Sequence, residues 1–384
     1  MFNNQELSEF RKRNVKSTKP YFSDQDIEII KKEIEDILRS GRLILGKYTE
    51  RFEESFADYV GVKHAIAINT CTSALTTALS YYNVKNWEVI VPSNTFIATP
   101  NSVIEENGKV VFAEIDRKTL CLDLEDVKKK INENTRAIIA VHMLGLVCPE
   151  IDRLKRICNE KEIKLIEDAA HAHGASLNGI KSGAFGDIGC FSFYPTKLMT
   201  TMTGGMLTTD DDDFVDFAKS TRFFGSGENL YQIVRKGNDW LMGEINAVLG
   251  YHQLKRLDES IEKRNEIALK YNETLKDIPG AELFEVPENT VHSYYKYPVF
   301  YSFRKDRDEL VKKLKADYGI ETSRVYVPCH LQPFYKEKFG YSRGLLPVTE
   351  KTLDNVICLP MHPQLSEDEQ EYVVESFKKE IGQW

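Results

Sequence analysis

Apolar residues recur at three- and four-residue spacing in two stretches that follow one another near the start of the chain. The first runs from Asp24 to Gly41 and the second from Tyr48 to Gly61. This spacing puts the apolar side chains on one face of a helix, and a glycine after the last apolar position commonly ends a helix. The pattern therefore predicts two helices, which end at Gly41 and Gly61.

Beyond these helices, short apolar runs alternate with polar or helical stretches that are long enough for a crossover connection. Two of the runs, FGDIGCFSFY and GGMLTTD, flank a single lysine, Lys197. Such alternation predicts an α/β fold whose sheet is mostly parallel and carries helices on its faces. The other runs predicted as buried strands are HAIAIN, WEVIVP, GKVVFAEI, TRAIIAVHM and IKLIEDA.

The last part of the chain has a different pattern. A long helical stretch from about residue 245 to Gly280 leads away from the predicted sheet. It is followed by one strand-like run, YYKYPVFYSF, and by two helical ones, DELVKKLKADYGI and EDEQEYVVESFKKEIGQW. We therefore predict a large domain over residues 1–255, a smaller α+β domain over residues 256–384, and the long helix as their connection.

Composition and charge narrow the class of protein. The net charge of −8 argues against nucleic acid as the main partner. The seven cysteines are dispersed and form no CxxC pair, which suits reduced thiols in the cytoplasm better than disulfides or a zinc site. The first residues show no signal-peptide pattern, and no apolar run approaches the length of a membrane-spanning helix. We expect a cytoplasmic protein with no nucleic-acid or membrane partner.

Lys197 stands out because its neighbours carry almost no charge. Between Asp187 and Leu207 it is the one charged side chain after Asp187 itself, in a run of aromatic, hydroxyl and glycine residues. A solvated surface lysine is the ordinary interpretation. The neighbours instead indicate a partly enclosed amine, and enclosure favours the neutral form that attacks an aldehyde to make a Schiff base.

Polar groups also follow two of the predicted strands, at the sheet edge where ligands of open α/β sheets bind. Thr72 and Ser73 lead directly into a helix and indicate a phosphate site, with helix capping as the alternative. Asp168 ends a buried strand, where a lone carboxylate needs a cation or a donor; capping is again the alternative. His171 and His173 lack a third metal ligand at suitable spacing, so no metal site is predicted.

A Schiff-base lysine, an acid for a pyridine nitrogen and a phosphate cup, in this order on one α/β chain, describe a pyridoxal 5'-phosphate site. The chain resembles the DegT/DnrJ/EryC1/StrS family of pyridoxal-phosphate sugar aminotransferases over nearly its whole length. The resemblance implies an aspartate-aminotransferase-like fold of type I, with a mostly parallel seven-stranded sheet between helices and a smaller α+β domain. The motifs that carry it are SGRLILGKYTERFEESFADYVGVKHAIAINTCTSALTTAL, VPSNTFIATPNSV, NTRAIIAVHMLG, IEDAAHAHGA, GDIGCFSFYPTK and EINAVLGYHQL.

The resemblance implies roles for the cofactor site. Lys197 matches the family's Schiff-base lysine, and Asp168 matches the acid that pairs with the pyridinium nitrogen. Phe96 matches the aromatic residue that stacks on the cofactor ring, and His171 takes the place near the ring oxygen that often holds glutamine. The hydroxyls that match the phosphate-binding positions are Thr72, Ser73 and Ser192.

Two further residues are expected to face the substrate. His330 matches a histidine near the substrate end of the family's pocket. Arg222 is a candidate for local positive charge that a diphosphate substrate needs; a surface salt bridge is the alternative. The resemblance implies a nucleotide-linked ketosugar as acceptor, L-glutamate as donor, and a role in the biosynthesis of amino sugars for surface glycans.

The chain departs from the family pattern at three places. Cys71 replaces the glycine before Thr72 and narrows the space near the phosphate. Met202 and Thr203 replace a glycine and an acid after the lysine. The third departure is in the loop GNDWLM, where Asp239 and Leu241 stand for asparagine and arginine.

The loop GNDWLM also bears on how two copies of the chain assemble. The resemblance implies a homodimer in which the loop, here Asn238 and Asp239, reaches the partner's cofactor phosphate. An aspartate is repelled by a phosphate, so Asn238 takes over the contact or the contact is lost.

The departures also leave other functions open: a same-fold aminotransferase for a keto-inositol or a small phosphorylated ketone, or a cofactor-binding regulator without catalysis. A member of the family's dehydratase branch is disfavoured, because that branch has histidine where this chain has Lys197.

Overall fold

The computed structural model describes residues 12–301 and 306–382. The prediction that no signal peptide is present rests mostly on residues 1–11, which lie outside the described residues. The helices are α1 Asp24–Ser40, α2 Lys47–Val60, α3 Cys71–Tyr81, α4 Ala98–Glu105, α5 Leu124–Lys130, α6 Ile151–Glu160, α7 Asp212–Thr221, α8 Glu244–Lys255, α9 Leu257–Leu275, α10 Arg307–Tyr318, α11 Pro333–Phe339, α12 Pro347–Asp354 and α13 Glu367–Gly382.

The strands fall where the short apolar runs of the sequence place them. Each of the predicted runs up to Thr209 forms one strand of the same sheet. The strands are β1 His64–Ile68, β2 Glu88–Pro92, β3 Lys109–Ala113, β4 Thr135–Val141, β5 Lys164–Asp168, β6 Ser176–Leu177, β7 Ile180–Lys181, β8 Ile188–Ser192, β9 Gly205–Thr209, β10 Ala281–Leu283, β11 Thr290–Val291, β12 Tyr297–Tyr301 and β13 Val356–Leu359.

The main sheet has seven strands in the order β1-β9-β8-β5-β4-β2-β3. Strand β9 runs antiparallel to both of its neighbours, and the remaining pairs are parallel. Helices cover both faces, so alternate residues of one strand enter different cores: Ile138 packs with α6, whereas Ile139 packs with α3. Burial on both faces explains why these strands read as continuous apolar runs. The predicted α/β fold with a mostly parallel sheet is confirmed.

The two N-terminal helices end where the glycines predict. Gly41 and Gly61 adopt the left-handed backbone conformation, with φ of 68° and 85°. Their N–H groups close the last turns by donating to Ile37 O and Ala57 O. Glycine pays no Cβ penalty in this conformation, which makes it the usual residue after a helix.

The prediction of one continuous helix after residue 245 is wrong. The helical stretch breaks at Arg256 into α8 and α9, and Arg256 pairs with Asp26 at the start of α1. Helix α8 packs on α2 and the main sheet, whereas α9 packs with α13 and the small sheet β10-β12-β13. The break therefore redirects the chain between two cores. The two-domain division at residues 255 and 256 stays a prediction.

The small antiparallel sheet carries the second core. Strand β12 lies between β10 and β13, and its residues pack with α9, α10 and α13. Val15 from the N-terminal segment joins this core and pairs with Ile320 in an isolated bridge. A third, short sheet joins the two parts, because β11 pairs with β6. Within the described residues, no helix combines the length and the apolarity that crossing a bilayer requires.

Glu244 holds the start of α2 from another helix. The residue before α2 is Gly46, which has no side chain to accept the free N–H groups. The buried Glu244 carboxylate accepts N–H bonds from Gly46, Tyr48 and Thr49, each at 3.0 Å. A Cβ atom on Gly46 would lie 2.6 Å from Glu244 Oε2, so the carboxylate fits there because the residue is glycine.

We predict that Glu244→Ala lowers the free energy of unfolding by at least about 2 kcal/mol, because it leaves several buried donors without an acceptor. Urea denaturation followed by circular dichroism measures the change. Glu28→Ala is the control, since Glu28 is an exposed helix residue that pairs with Lys31, and its effect should stay within about 0.5 kcal/mol. Equal effects of the two substitutions would contradict the capping role.

Candidate active site

A cavity of about 400 Å³ opens at the carboxyl ends of the parallel strands. Open α/β sheets bind their ligands at this edge. Side chains from the ends of β4, β5 and β8 line it, together with residues of the C-terminal part. The sequence-predicted site residues that line it are Thr72, Phe96, Asp168, His171, Ser192 and Lys197.

Asp168 lies at the end of β5 with its carboxyl group buried. It accepts bonds from Thr99 Oγ1 at 2.7 Å and from the N–H of Ala170 at 3.2 Å. Within the part of the chain that the structure describes, no cation lies at salt-bridge distance from it. Burial therefore raises the pKa of Asp168 above its ordinary value, although Lys197 opposes this shift from a distance. Asp168 does not cap a helix, so the capping alternative is wrong.

The preceding residue, Glu167, has the opposite environment. Its side chain points to the other face of β5 and accepts N–H bonds from Gly183, Phe185 and Gly186, at 2.6 to 2.8 Å. Its Oε2 also lies 2.7 Å from Nε2 of the buried His142. These bonds fix the end of the strand, so Asp168 is presented to the cavity from a rigid position.

Lys197 lies in the turn that follows β8. Its N–H donates to Tyr194 O, and its Nζ lies 4.8 Å from the centroid of the Tyr295 ring. Among the described residues, none offers it a carboxylate at salt-bridge distance. Its side chain is half-buried and lines the cavity, so the solvated-surface interpretation is wrong.

The start of α3 forms one end of the cavity. The residue that caps this helix is Thr70, whose Oγ1 accepts the N–H of Ser73 at 3.0 Å. Thr72 lies in the first turn and lines the cavity, as does Ser192 from β8. Ser73 does not line it: its hydroxyl is buried and pairs with Thr70 at 2.9 Å. Capping at this helix thus belongs to Thr70, and Thr72 is free for a ligand.

His171 forms part of an aromatic wall. Its ring stacks on Tyr295 with a centroid distance of 4.2 Å, and its Nε2 lies 2.8 Å from the hydroxyl of Tyr326. Burial, reinforced by the charges of Lys197 and Lys296, holds the pKa of His171 well below its ordinary value. The imidazole is therefore neutral, and its Nε2 is hydrogen-bonded with the Tyr326 hydroxyl.

The cavity residues missed from the sequence include Tyr295, Lys296 and Tyr326. The first two lie in the run YYKYPVFYSF, which predicts a strand and nothing else. The lysine inside an otherwise apolar run was the available signal. Phe96 lies 6.0 Å from Tyr326, centroid to centroid, and is 57% exposed at the cavity.

The structure does not bring Arg222 to the cavity. Arg222 is buried and pairs with Glu53 at 2.5 Å while it donates to Ala67 O. The salt bridge proposed as the alternative exists, but it lies in the interior and not on the surface. Arg222 thus ties α2 and β1 to the end of α7 and has no charge free for a substrate in this arrangement.

His330 is also placed away from the cavity lining. Its ring is buried, with Nδ1 2.7 Å from Ser93 Oγ and Nε2 3.0 Å from Glu350 Oε1. Burial lowers its pKa even though Glu350 opposes the shift. Asn238 and Asp239 pair through their backbones with the segment 221–224 and do not line the cavity of their own chain.

The DegT/DnrJ/EryC1/StrS aminotransferase family model matches residues 24–378. The chain belongs to this family. The chain is 34% identical to the spore coat polysaccharide biosynthesis protein SpsC of Bacillus subtilis, over 90% of this chain and 92% of that protein. It is 32% identical to the dTDP-3-amino-3,4,6-trideoxy-alpha-D-glucose transaminase of Micromonospora megalomicea, over 91% of this chain and 93% of that one.

A solved structure of another protein gives the same fold. The PLP form of the putative sugar aminotransferase Spr1654 from Streptococcus pneumoniae superposes with a TM-score of 0.89 at 26% identity. The match covers 97% of this chain and 99% of that one. The protein is thus an aminotransferase of fold type I, and its cofactor is pyridoxal 5'-phosphate.

The residues of the cavity fit this cofactor. The buried Asp168 carboxyl lacks a cation, and a protonated ring nitrogen would supply one. Lys197 lacks a carboxylate and is free to bind an aldehyde carbon. Hydroxyls of Thr72 and Ser192 lie at the cavity wall beside the start of α3, where N–H groups and the helix dipole favour a phosphate.

We predict that Asp168→Asn stabilises the cofactor-free protein at neutral pH. The folded protein raises the pKa of Asp168, so the wild type loses stability as pH rises from the unfolded pKa through the folded one. Asparagine keeps the shape without the charge. The difference in melting temperature between variant and wild type should grow as pH increases from about 4 to 7.

The same variant should lose function, because the site would no longer hold a ring nitrogen in its protonated form. Turnover should fall about 10²–10³-fold. A variant that is less stable than wild type at pH 7, or that turns over at a normal rate, would contradict the role given to Asp168.

Proposed function

We propose that the protein transfers an amino group from L-glutamate to a ketone carbon of a nucleotide-linked sugar, for the biosynthesis of amino sugars in surface glycans. The observation that carries the proposal is the placement of Lys197 and Asp168 in one cavity of a chain that belongs to a sugar aminotransferase family. The names of the two relatives, a dTDP-amino-sugar transaminase and a polysaccharide biosynthesis protein, support the substrate class.

The chain's own residues take distinct parts in this reaction. When bound, pyridoxal 5'-phosphate withdraws electrons from the carbon next to the reacting nitrogen. Lys197 would hold the cofactor covalently and, as a free amine, would take the proton from the donor's α-carbon in the first half of the reaction and supply a proton to the acceptor carbon in the second. Asp168 would hold the ring nitrogen in its protonated form.

Other side chains would orient the cofactor. Thr72 and Ser192 would hold the phosphate, and Phe96 would cover one face of the ring. The neutral His171 would lie near the ring oxygen, with its Nε2 already engaged by Tyr326. The aromatic wall of Tyr295 and His171 forms the side of the cavity where Lys197 lies.

We further propose that the protein is a homodimer with shared active sites. A segment that precedes the loop at Asn238 exposes several large apolar side chains, and Tyr231 is 95% exposed. Exposed apolar patches of this kind mark protein–protein contacts. The residues are Phe224, Leu230, Tyr231, Ile233 and Val234.

The state of the cysteines supports a proposal about the cellular compartment of the protein. All seven are free and buried, and burial raises the pKa of Cys71 and Cys190 beside the cavity. Buried protonated thiols are inert and need no disulfide partner. These observations support the proposal of a cytoplasmic protein.

The function is tested by following the cofactor's absorbance. L-Glutamate should bleach the absorbance of the purified holoenzyme, and one member of a panel of nucleotide ketosugars should restore it. Lys197→Ala should show neither change, because the amine that moves the proton is missing.

Two results would contradict the proposal. Borohydride reduction followed by peptide mapping should place the cofactor on Lys197, and a label on another lysine would refute that assignment. If only a keto-inositol or a small phosphorylated ketone restores the absorbance, the reaction type stands and the nucleotide-sugar acceptor is wrong.

The shared site is tested by mixing two inactive proteins. Lys197→Ala and an Asn238→Ala/Asp239→Ala double variant are unfolded together and refolded. Random pairing makes about half of the dimers mixed, each with one intact site, so about a quarter of wild-type activity should return. No recovery, or a loop variant that is fully active alone, would contradict the shared site.

A further inference from the structure

Lys296 is a cation on the wall of the active-site cavity that the roles given above leave without a partner. It lies between β11 and β12, is half-buried, and lines the cavity. Its Nζ donates to Arg324 O at 2.9 Å. No carboxylate in the described parts of the chain lies at salt-bridge distance from it. A half-buried ammonium with one backbone acceptor can still bind an anion through its other two donors.

Lys296 and Lys197 share one aromatic ring. Lys296 Nζ lies 5.8 Å from the centroid of the Tyr295 ring, and Lys197 Nζ lies 4.8 Å from it. The two amines are therefore at most about 11 Å apart, the sum of these distances. Lys296 thus faces the same aromatic ring as Lys197, within about 11 Å of the amine that would hold the cofactor.

A third cation stands behind this ring. Arg264 of α9 is buried, and its Nη1 donates to the carbonyls of Tyr294 and Met361, with no carboxylate partner among the described residues. Burial alone raises the pKa of the Tyr295 phenol. The charges of Lys197 and Lys296, a hydrogen bond with Thr196 and a smaller contribution from Arg264 outweigh burial and hold it below its ordinary value. The three cations make this end of the cavity positive.

The charges that line the cavity do not balance without a ligand. Its described lining holds two cations, Lys197 and Lys296, and one carboxyl group, Asp168. Asp168 is assigned to the ring nitrogen of the cofactor and the cofactor phosphate to the start of α3, so neither is assigned to Lys296. Cations that are partly removed from water are stabilised by an anion with good geometry. The ligand that completes this end of the cavity is therefore anionic.

We propose that Lys296 binds a carboxylate of the amino donor. In an amino acid the α-carboxylate is attached to the carbon that carries the reacting amine, so it stays at the end of the cavity where Lys197 and Lys296 both face the Tyr295 ring. In a nucleotide-linked sugar the diphosphate is on the anomeric carbon and the ketone on another ring carbon, which places the diphosphate farther from Lys197. The inference rests on the proposed function, in which L-glutamate is the donor.

The test uses glutarate, a dicarboxylate that lacks an amine and cannot react. Its affinity for the holoenzyme is measured by titration calorimetry. Lys296→Met should weaken binding about 10–100-fold, the range expected for one hydrogen bond to a charged group. Lys296→Arg keeps the charge and should stay within about threefold of wild type.

Lys181→Met is the matched control. Lys181 Nζ also lies over a tyrosine ring, 4.4 Å from the Tyr59 centroid, but it does not line the cavity. Its substitution should leave glutarate affinity unchanged. Melting temperatures of all variants show whether each is folded, and Lys296→Gln replaces Lys296→Met if the latter does not fold.

The same variants separate the two possible anions. Affinity for dTDP alone should be equal in wild type and Lys296→Met, while the L-glutamate concentration for half-maximal bleaching should rise about 10–100-fold. If dTDP affinity falls and glutarate affinity holds, Lys296 faces the diphosphate and the proposal is overturned. It is also overturned if Lys296→Met binds glutarate like wild type. The proposed function fails separately, if wild type bleaches with L-glutamate but no nucleotide ketosugar restores its absorbance.

Discussion

The arrangement of the site depends on two adjacent carboxyl groups at the end of β5. Side chains alternate across a strand, so Glu167 and Asp168 enter opposite faces of the sheet. Glu167 is surrounded by donors and fixes the strand end to the loop before β8. Asp168 receives only two bonds and no cation from the described residues, which leaves it unsatisfied until a cofactor binds. One strand thus supplies both the rigid anchor and the carboxyl group that would hold the ring nitrogen.

The remaining walls come from parts of the chain that are distant in sequence. The main sheet supplies Lys197 and the phosphate end, whereas Tyr295, Lys296 and Tyr326 come from the part that carries the small sheet. The stack of His171 on Tyr295 joins the two. The hydrogen bond between His171 and Tyr326, together with the charges around Tyr295, makes this junction polar as well as aromatic. The electrostatics of the cavity are therefore set jointly by both parts.

The sequence pattern predicts those features of the structure that depend on interactions between residues close together in the chain. Continuous apolar runs predicted the strands of the main sheet, and glycines predicted the ends of α1 and α2. The lysine and the acid at strand ends pointed to the cavity because parallel strands gather there. Tyr295 and Lys296 escaped prediction because tertiary packing, and not their own run, brings them to the site. Arg222 was a candidate for positive charge at the substrate, but it pairs with Glu53. His330 matched a family histidine near the substrate, but its ring pairs with Glu350. Such partners cannot be read from spacing.

The bridge between Val15 and Ile320 affects how the protein is made. Val15 belongs to the same core as β12, β13 and α13, although the main sheet is encoded between them. On the ribosome, the strands of the main sheet emerge while the partners of Val15 are still unsynthesised. The segment around Val15 must therefore remain accessible after much of the chain has emerged, and its docking is a late event in folding. A chaperone that binds nascent chains therefore has access to this segment until the C-terminal strands and helices emerge.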